Sequence, residues 1–190
     1  MELKTIEVGG RDLVSAEVIE KYVSRTIEAD LEILKENKSG GFKLFGLEEP
    51  FKGKIHGFNF IGFVDRLDSI DGVSPRVVDY KSGSDNPDQL AINDDNAEKA
   101  VENIFNEKAG TRRKNKAALQ FYIYDTLLRM RDGFKTVQAG NSMYAITSIF
   151  RAEPETYPVN KSFCDFMDEK MKVLLDEIAD TAQPFRRTED

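Results

Sequence analysis

The chain has 190 residues, 40% hydrophobic and 32% charged, with 27 basic and 34 acidic side chains, one cysteine and one histidine. That length and composition suit one globular domain, or one domain with a helical appendage. No apolar run approaches the ~20 residues of a membrane span, Cys164 by itself excludes an internal disulfide, and the net charge of −7 argues against a protein that coats nucleic acid by charge alone.

Read along the chain, Ser15 to about Asn37 is expected to be a helix, because Val18, Tyr22, Ile27, Leu31 and Leu34 recur at helical spacing. Ser39-Gly40-Gly41 ends it. A short strand is expected at Phe42–Phe45, separated by Pro50 and Gly53 from a second short segment at Lys54–His56. Phe58 to Asp68 is the clearest strand. Alternation puts Ile61, Phe63, Asp65 and Leu67 on one face and Phe60, Gly62, Val64 and Arg66 on the other. Asp71-Gly72 marks a turn. The next strand, Arg76–Lys81, places Val77, Asp79 and Lys81 together. Gly83–Asn96 reads as a polar loop, Ala97–Lys108 as a helix, and Gly110–Lys116 as a basic stretch. Ala117–Arg131 is a strong helix with an apolar stripe of Leu119, Ile123, Leu127 and Met130. A strand over Ser142–Phe150 and an amphipathic helix over Lys161–Ala179 follow, then a polar end.

Two carboxylates break this pattern. Asp65 and Asp79 each share a face with apolar side chains, where an unpaired charge is expensive. A hairpin centred on Gly72 sets 65 opposite 79 and brings Lys81 beside them. Two neighbouring carboxylates repel unless a divalent cation lies between them, and hard oxygen donors select Mg²⁺ or Mn²⁺. Such a cation activates water and stabilises charge on a phosphate, while a lysine offsets developing negative charge. Spacing alone leaves open a purely structural Asp–Lys ion pair. Gln120 and Tyr124 lie four apart on the strong helix, with Lys116 preceding them on the same row, as in the wall of a cleft or on a merely solvated helix edge. Arg112, Arg113, Lys114 and Lys116 form the densest basic run, suited to phosphates or simply to solvent. Glu48 and Glu49 read as a surface turn, with an outer role at a cation site as the alternative. Ser82 and Gly83 read as turn residues, since no base activates the serine. There is no phosphate-cradling glycine-rich loop, so nucleotide hydrolysis is not expected.

Three ordered segments carry a resemblance. Gly62-Phe63-Val64-Asp65-Arg66-Leu67-Asp68, Val77-Val78-Asp79-Tyr80-Lys81-Ser82-Gly83 and Leu119-Gln120-Phe121-Tyr122-Ile123-Tyr124 resemble the RecB-type branch of the PD-(D/E)XK nucleases. That branch has a G-x-x-D-R-x-D strand, a D-Y-K-[ST]-G strand and a Q-x-x-x-Y helix in this order. The resemblance implies an α/β restriction-endonuclease-like fold, with a mixed central sheet flanked by helices. It further implies Mg²⁺- or Mn²⁺-dependent hydrolysis of DNA, with exonuclease action. Asp65, Asp79 and the Tyr80 carbonyl would hold the metal, and Lys81 would be the catalytic lysine. Gln120 and Tyr124 would complete the site and contact the DNA, with Arg112, Arg113 and Lys116 beside them. Arg66 would brace its strand or contact a nearby acid.

The chain departs from that pattern in two ways. Many relatives carry a metal-binding histidine on an early helix, whereas the single histidine, His56, precedes the first motif strand and reads as a turn or strand-end residue. Many also hold an iron–sulfur cluster, which Cys164 alone cannot ligate and which would need a longer parent chain. Residues 1–190 are therefore expected to be one nuclease domain within a larger cytoplasmic protein without membrane contact. A helicase region or subunit would be its partner, in DNA end processing and recombinational repair. The rival readings are a non-cleaving DNA-binding scaffold and a CRISPR- or phage-type RecB-like exonuclease.

Overall fold

The computed structural model describes residues 9–37, 41–83, 85–106, 115–135, 138–182 and 184. Helix α1 covers Arg11–Glu36, followed by strands β1 (Lys43–Ile55), β2 (Phe58–Ser69) and β3 (Arg76–Lys81). A short 3-10 turn at Pro87–Leu90 and helices α2 (Ala97–Phe105) and α3 (Lys116–Arg129) lead to β4 (Gly140–Ala145). The two-residue β5 (Tyr157–Pro158) and helix α4 (Lys161–Ala179) complete the described residues. The sheet runs in the order β1-β2-β3-β4-β5. Only the β3–β4 pair is parallel. Parallel neighbours need a crossover connection, and the stretch holding α2 and α3 supplies it.

β1 and β2 are long and meet at a two-residue turn. Ile55 pairs with Phe58, and His56 (φ 48°) and Gly57 (φ 87°) between them are both left-handed, the conformation that matches strand twist in a tight hairpin. His56 is therefore a turn residue, and its Nε2 lies 3.1 Å from Asp168 Oδ1 of α4. β1 is one strand of 13 residues rather than two short segments. Pro50 does not break it because β1 lies at the sheet edge, where a missing N–H costs no ladder bond. Gly53 does not break it because its bareness admits α3: a Cβ there would lie 2.6 Å from Met130 Sδ and 2.9 Å from Leu127 Cδ2. Glu48 and Glu49 are consequently strand residues, not a turn.

Alternation also fails once within β2. Val64 and Leu67, three residues apart, both enter the main core, so the pleat slips at Asp65. The residue between the partners of Val64 and Arg66 is Glu48, which has a left-handed backbone (φ 50°). As a result Ile61 and Phe63 are exposed, at 64% and 58%, and do not share a buried face with Asp65. Beyond Ala145, the expected long strand gives way to hydrogen-bonded turns, with Ser148 and Ile149 N–H groups both donating to the Ala145 carbonyl.

The main core lies between the sheet and α2, α3 and α4, built on Phe51, Val64, Leu67, Val77, Phe121, Leu127, Met143 and Met167. A small second cluster of Ala29, Val78, Tyr144 and Ile149 lies under α1. α1 buries Ala29 alone among its residues, while Val18, Ile27 and Leu31 of its apolar stripe are 45–55% exposed. Polar contacts anchor it instead. Arg66 makes a bidentate pair with Asp30 at 2.6 and 2.9 Å, and Arg25 Nε donates to the Ile149 carbonyl at 2.9 Å.

Candidate active site

The β2–β3 hairpin builds the site. Its turn is held by Asp71, whose carboxylate accepts from the Val73 and Ser74 N–H groups and the Ser69 hydroxyl. Those bonds hold the Asp71 carboxyl far below the usual carboxylate range. Gly72 beside it is left-handed, φ 77°. Arg66 pairs with Val78, Leu67 with Val77 and Asp68 with Arg76, the register that a turn symmetric about Gly72 demands. Continued by one residue, it sets Asp65 against Asp79. Asp65 Oδ2 accepts from the Tyr80 N–H at 2.8 Å, which ties the two strand ends together.

Asp79 is 3% exposed and fully engaged. Lys81 Nζ lies 2.8 Å from its Oδ2, and Gln120 Nε2 donates to its Oδ1 at 2.9 Å. Lys81 also donates to Gln120 Oε1 at 2.7 Å, closing a ring of three side chains from β3 and α3. Burial is the largest influence on the Asp79 carboxyl and pushes its pKa up. Lys81 pulls it down, the charge of Asp65 pushes it up again, and Gln120 pulls it down; the net shift is upward. A buried carboxyl resisting ionisation beside a second carboxyl is an arrangement that a divalent cation relieves.

Tyr124 continues the chain of contacts. Its hydroxyl lies 2.7 Å from Gln120 Nε2 and donates to the Phe63 carbonyl at 2.8 Å. Gly62 allows this approach, since a Cβ there would meet the Tyr124 ring at 3.0 Å. The site thus spans β2, β3 and α3, with Asp65, Asp79, Lys81, Gln120 and Tyr124 brought together. Lys116 is exposed in the first turn of α3, on the row that carries Gln120 and Tyr124. Arg112 and Arg113 lie outside the described residues. Glu49 is engaged by Arg131, with Oε2 3.4 Å from its guanidinium. Cys164 is buried on α4, 3.9 Å from an Arg129 nitrogen.

The far face of the hairpin holds a second charged group. Asp68 is fully buried and takes two bonds from Arg76, both 2.8 Å, with Arg66 Nε at 2.9 Å. Arg66 therefore joins Asp68 to Asp30. Burial favours protonation of Asp30, but its bonds from Arg66 and Tyr144 and the nearby Arg76 outweigh it, so its pKa falls. Two arginines and two carboxylates balance in charge, which burial of such groups requires. Asp30 is the partner that sequence pattern does not reveal, because nothing in a helical stripe marks one acid as facing an arginine 36 residues later.

The donors that could hold a cation are two carboxylates and an adjacent backbone carbonyl. Among the described residues no group of three or more His, Cys, Asp and Glu side chains comes together. That set fits Mg²⁺ or Mn²⁺, which take one or two carboxylates and complete their shell with water and phosphate; it does not fit a calcium cage or a thiolate site.

Over residues 10–190 the sequence matches the PD-(D/E)XK nuclease superfamily. The chain belongs to this superfamily. Its mixed five-stranded sheet with flanking helices is the α/β restriction-endonuclease-like fold of the group. A solved structure of a provisionally assigned exonuclease from Eubacterium rectale is similar at 14% identity and a TM-score of 0.47. The similarity covers 85% of this chain and 52% of that one, so the nuclease-family chain spans about half the length of that protein. No curated protein matches the sequence. Among the described residues no helix is long and apolar enough to cross a membrane.

Proposed function

We propose that this superfamily member is a divalent-metal-dependent deoxyribonuclease of the RecB type. The reading rests chiefly on one observation: the ring of Asp79, Lys81 and Gln120, closed at 2.7–2.9 Å at the strand end where Asp65 bonds the Tyr80 N–H. Asp65, Asp79 and the Tyr80 carbonyl would hold Mg²⁺ or Mn²⁺, which activates water and offsets charge on the scissile phosphate.

The chain's own residues divide the remaining tasks. Lys81, held by Asp79 and Gln120, presents its ammonium to the phosphate and to the attacking water. Gln120 keeps Lys81 and Asp79 in fixed relation, and Tyr124 fixes Gln120 against β2. Lys116, with Arg112 and Arg113, supplies positive charge along the DNA backbone. In this reading residues 1–190 form one nuclease domain of a larger DNA end-processing protein that works with a helicase region.

The test is cleavage of linear DNA with Mg²⁺ or Mn²⁺. Asp79→Ala, Asp65→Ala and Lys81→Ala are each expected to lower the rate by at least ~100-fold, the scale of losing one charge-stabilising group, and chelator should abolish it. Wild-type cleavage that persists in Asp79→Ala would overturn the assignment. DNA binding without cleavage by the wild type would favour the scaffold reading instead.

A further inference from the structure

A cavity of about 470 Å³ opens between α1 and the sheet, directly beside the proposed catalytic lysine. Its walls include Tyr22, Val23 and Ile27 of α1, and Tyr80, Lys81 and Tyr144 of the sheet. That volume lies within the roughly 300–1,000 Å³ typical of ligand pockets. Val23 and Ile27 are one helical turn apart and 54% and 55% exposed. Across from them the Tyr80 ring is held in place, edge-on to Tyr144 with centroids 5.5 Å apart and with the Arg66 guanidinium 5.7 Å away. Tyr80 itself remains 41% exposed.

The charges bordering this cavity are already committed. Arg66 is engaged by Asp30 and Asp68, and Asp30 by Arg66 and Tyr144. Lys81 lines the cavity where β3 ends and is engaged with Asp79 and Gln120. With Arg66 and Asp30 paired to each other, the lining offers flat aromatic and aliphatic surface, and the Lys81 ammonium lies at the strand end. A phosphate fits beside Lys81 and a neutral planar ring fits the aromatic and aliphatic walls.

We infer that this cavity receives one unpaired nucleobase of the substrate strand, stacked against Tyr80 and covered by Val23 and Ile27, while the adjoining phosphate lies at Lys81. The inference rests on the nuclease reading above. Tyr80 and Lys81 are consecutive and face opposite sides of β3, and β3 ends at Lys81, so a nucleotide passes round the strand end from one to the other. A base inside a duplex is not available to such a pocket, whereas stacking on aromatic rings is the usual grip on single strands. The strand must therefore be unpaired where it is cut.

The experiment uses the full chain with Mn²⁺ and single-stranded oligonucleotides in which one abasic nucleotide is moved stepwise past the cleavage positions. At one position relative to the scissile bond, the missing base should slow wild-type cleavage at least ~10-fold, as loss of a base–aromatic stack does. Tyr80→Ala and Val23→Ala/Ile27→Ala should be slow on the intact strand and no slower on the abasic one. Tyr80→Phe, which keeps the ring, should restore the dependence on the abasic position that Tyr80→Ala loses. Circular dichroism of each variant separates loss of contact from loss of fold. Cleavage indifferent to the abasic position, or variants that still lose the same factor, would overturn the pocket while leaving the nuclease reading intact. No wild-type cleavage of any DNA would remove both.

Discussion

Asp125 illustrates how much one buried carboxyl can impose. It lies on α3 at 3% exposure and accepts from Asn141 Nδ2 at 2.8 Å. Burial pushes its pKa up to about 7, against smaller opposing influences from Asn141 and Arg129. The folded protein thus binds a proton there that the unfolded chain, near 3.9, has already released. This contribution to stability is fully present below about pH 4 and is lost as pH rises towards 7, by about 4 kcal/mol at most. Asp125→Asn should flatten that part of the stability profile and leave the protein more stable at pH 8. Urea melts between pH 4 and 8 test this, and identical pH slopes for both proteins would contradict it. Nothing in the sequence marked this residue: a polar side chain between Tyr124 and Thr126 gives no periodic signal, and its burial depends on Asn141 arriving from β4. Asp65, Asp79 and Lys81 were legible because three ionisable residues on two alternating strands conflict with core. For Asp65 the conflict is weaker than alternation predicts, since Ile61 and Phe63 are exposed and the pleat slips beside it.

At the level of elements, strands and helices with regular patterns and unambiguous ends were readable. β3 and α4 fall where periodicity places them, and α3 differs by a residue or two. β1 was not readable as one strand, because Pro50 and Gly53 carry meanings that depend on tertiary position: an edge with no hydrogen-bond partner, and a helix packed close. Gly62 is the same kind of residue, and it links the fold to the site. Gly62→Ala would push its Cβ to 3.0 Å from the Tyr124 ring, displacing the hydroxyl that bonds Phe63 and contacts Gln120. A drop in cleavage of about tenfold or more is expected with little change in stability, since ~1.4 kcal/mol of lost positioning corresponds to that factor. Unchanged rates, measured beside thermal melts, would show that Tyr124 does not position Gln120. α1 makes a different point. Its stripe predicts a buried face, yet most of that stripe is exposed, and Asp30 and Arg25 fix the helix around the small apolar cluster at Ala29. Asp30→Ala leaves the buried Arg66 and Arg76 sharing Asp68 as their one carboxylate, a loss of at most ~3–5 kcal/mol because Asp30 is itself only half-buried. Limited proteolysis should then cut within α1 well before the sheet, whereas cutting at the wild-type rate would mean that packing alone holds the helix.

For the molecule as a whole, the net charge of −7 and the proposed DNA substrate are reconciled at one place. The proposed site lies at the carboxyl end of β3, beside the parallel β4, the edge at which open α/β sheets commonly bind ligands. Two of the acidic charges gather there, and a divalent cation would convert that point from repelling to attracting phosphate. The superfamily could be read from three ordered segments, but the depth of the arrangement could not. The main core lies on the α3 face, the Asp30–Arg66–Asp68–Arg76 group braces the α1 face, and the hairpin between them carries the proposed catalytic side chains. In the proposed site Asp65 and Asp79 grip one divalent ion jointly. Titration calorimetry with Mn²⁺ tests it directly. The wild type should bind one ion at the site, and Asp65→Asn and Asp79→Asn should each lose that binding while remaining folded. Equal Mn²⁺ affinity in wild type and Asp79→Asn would contradict the account.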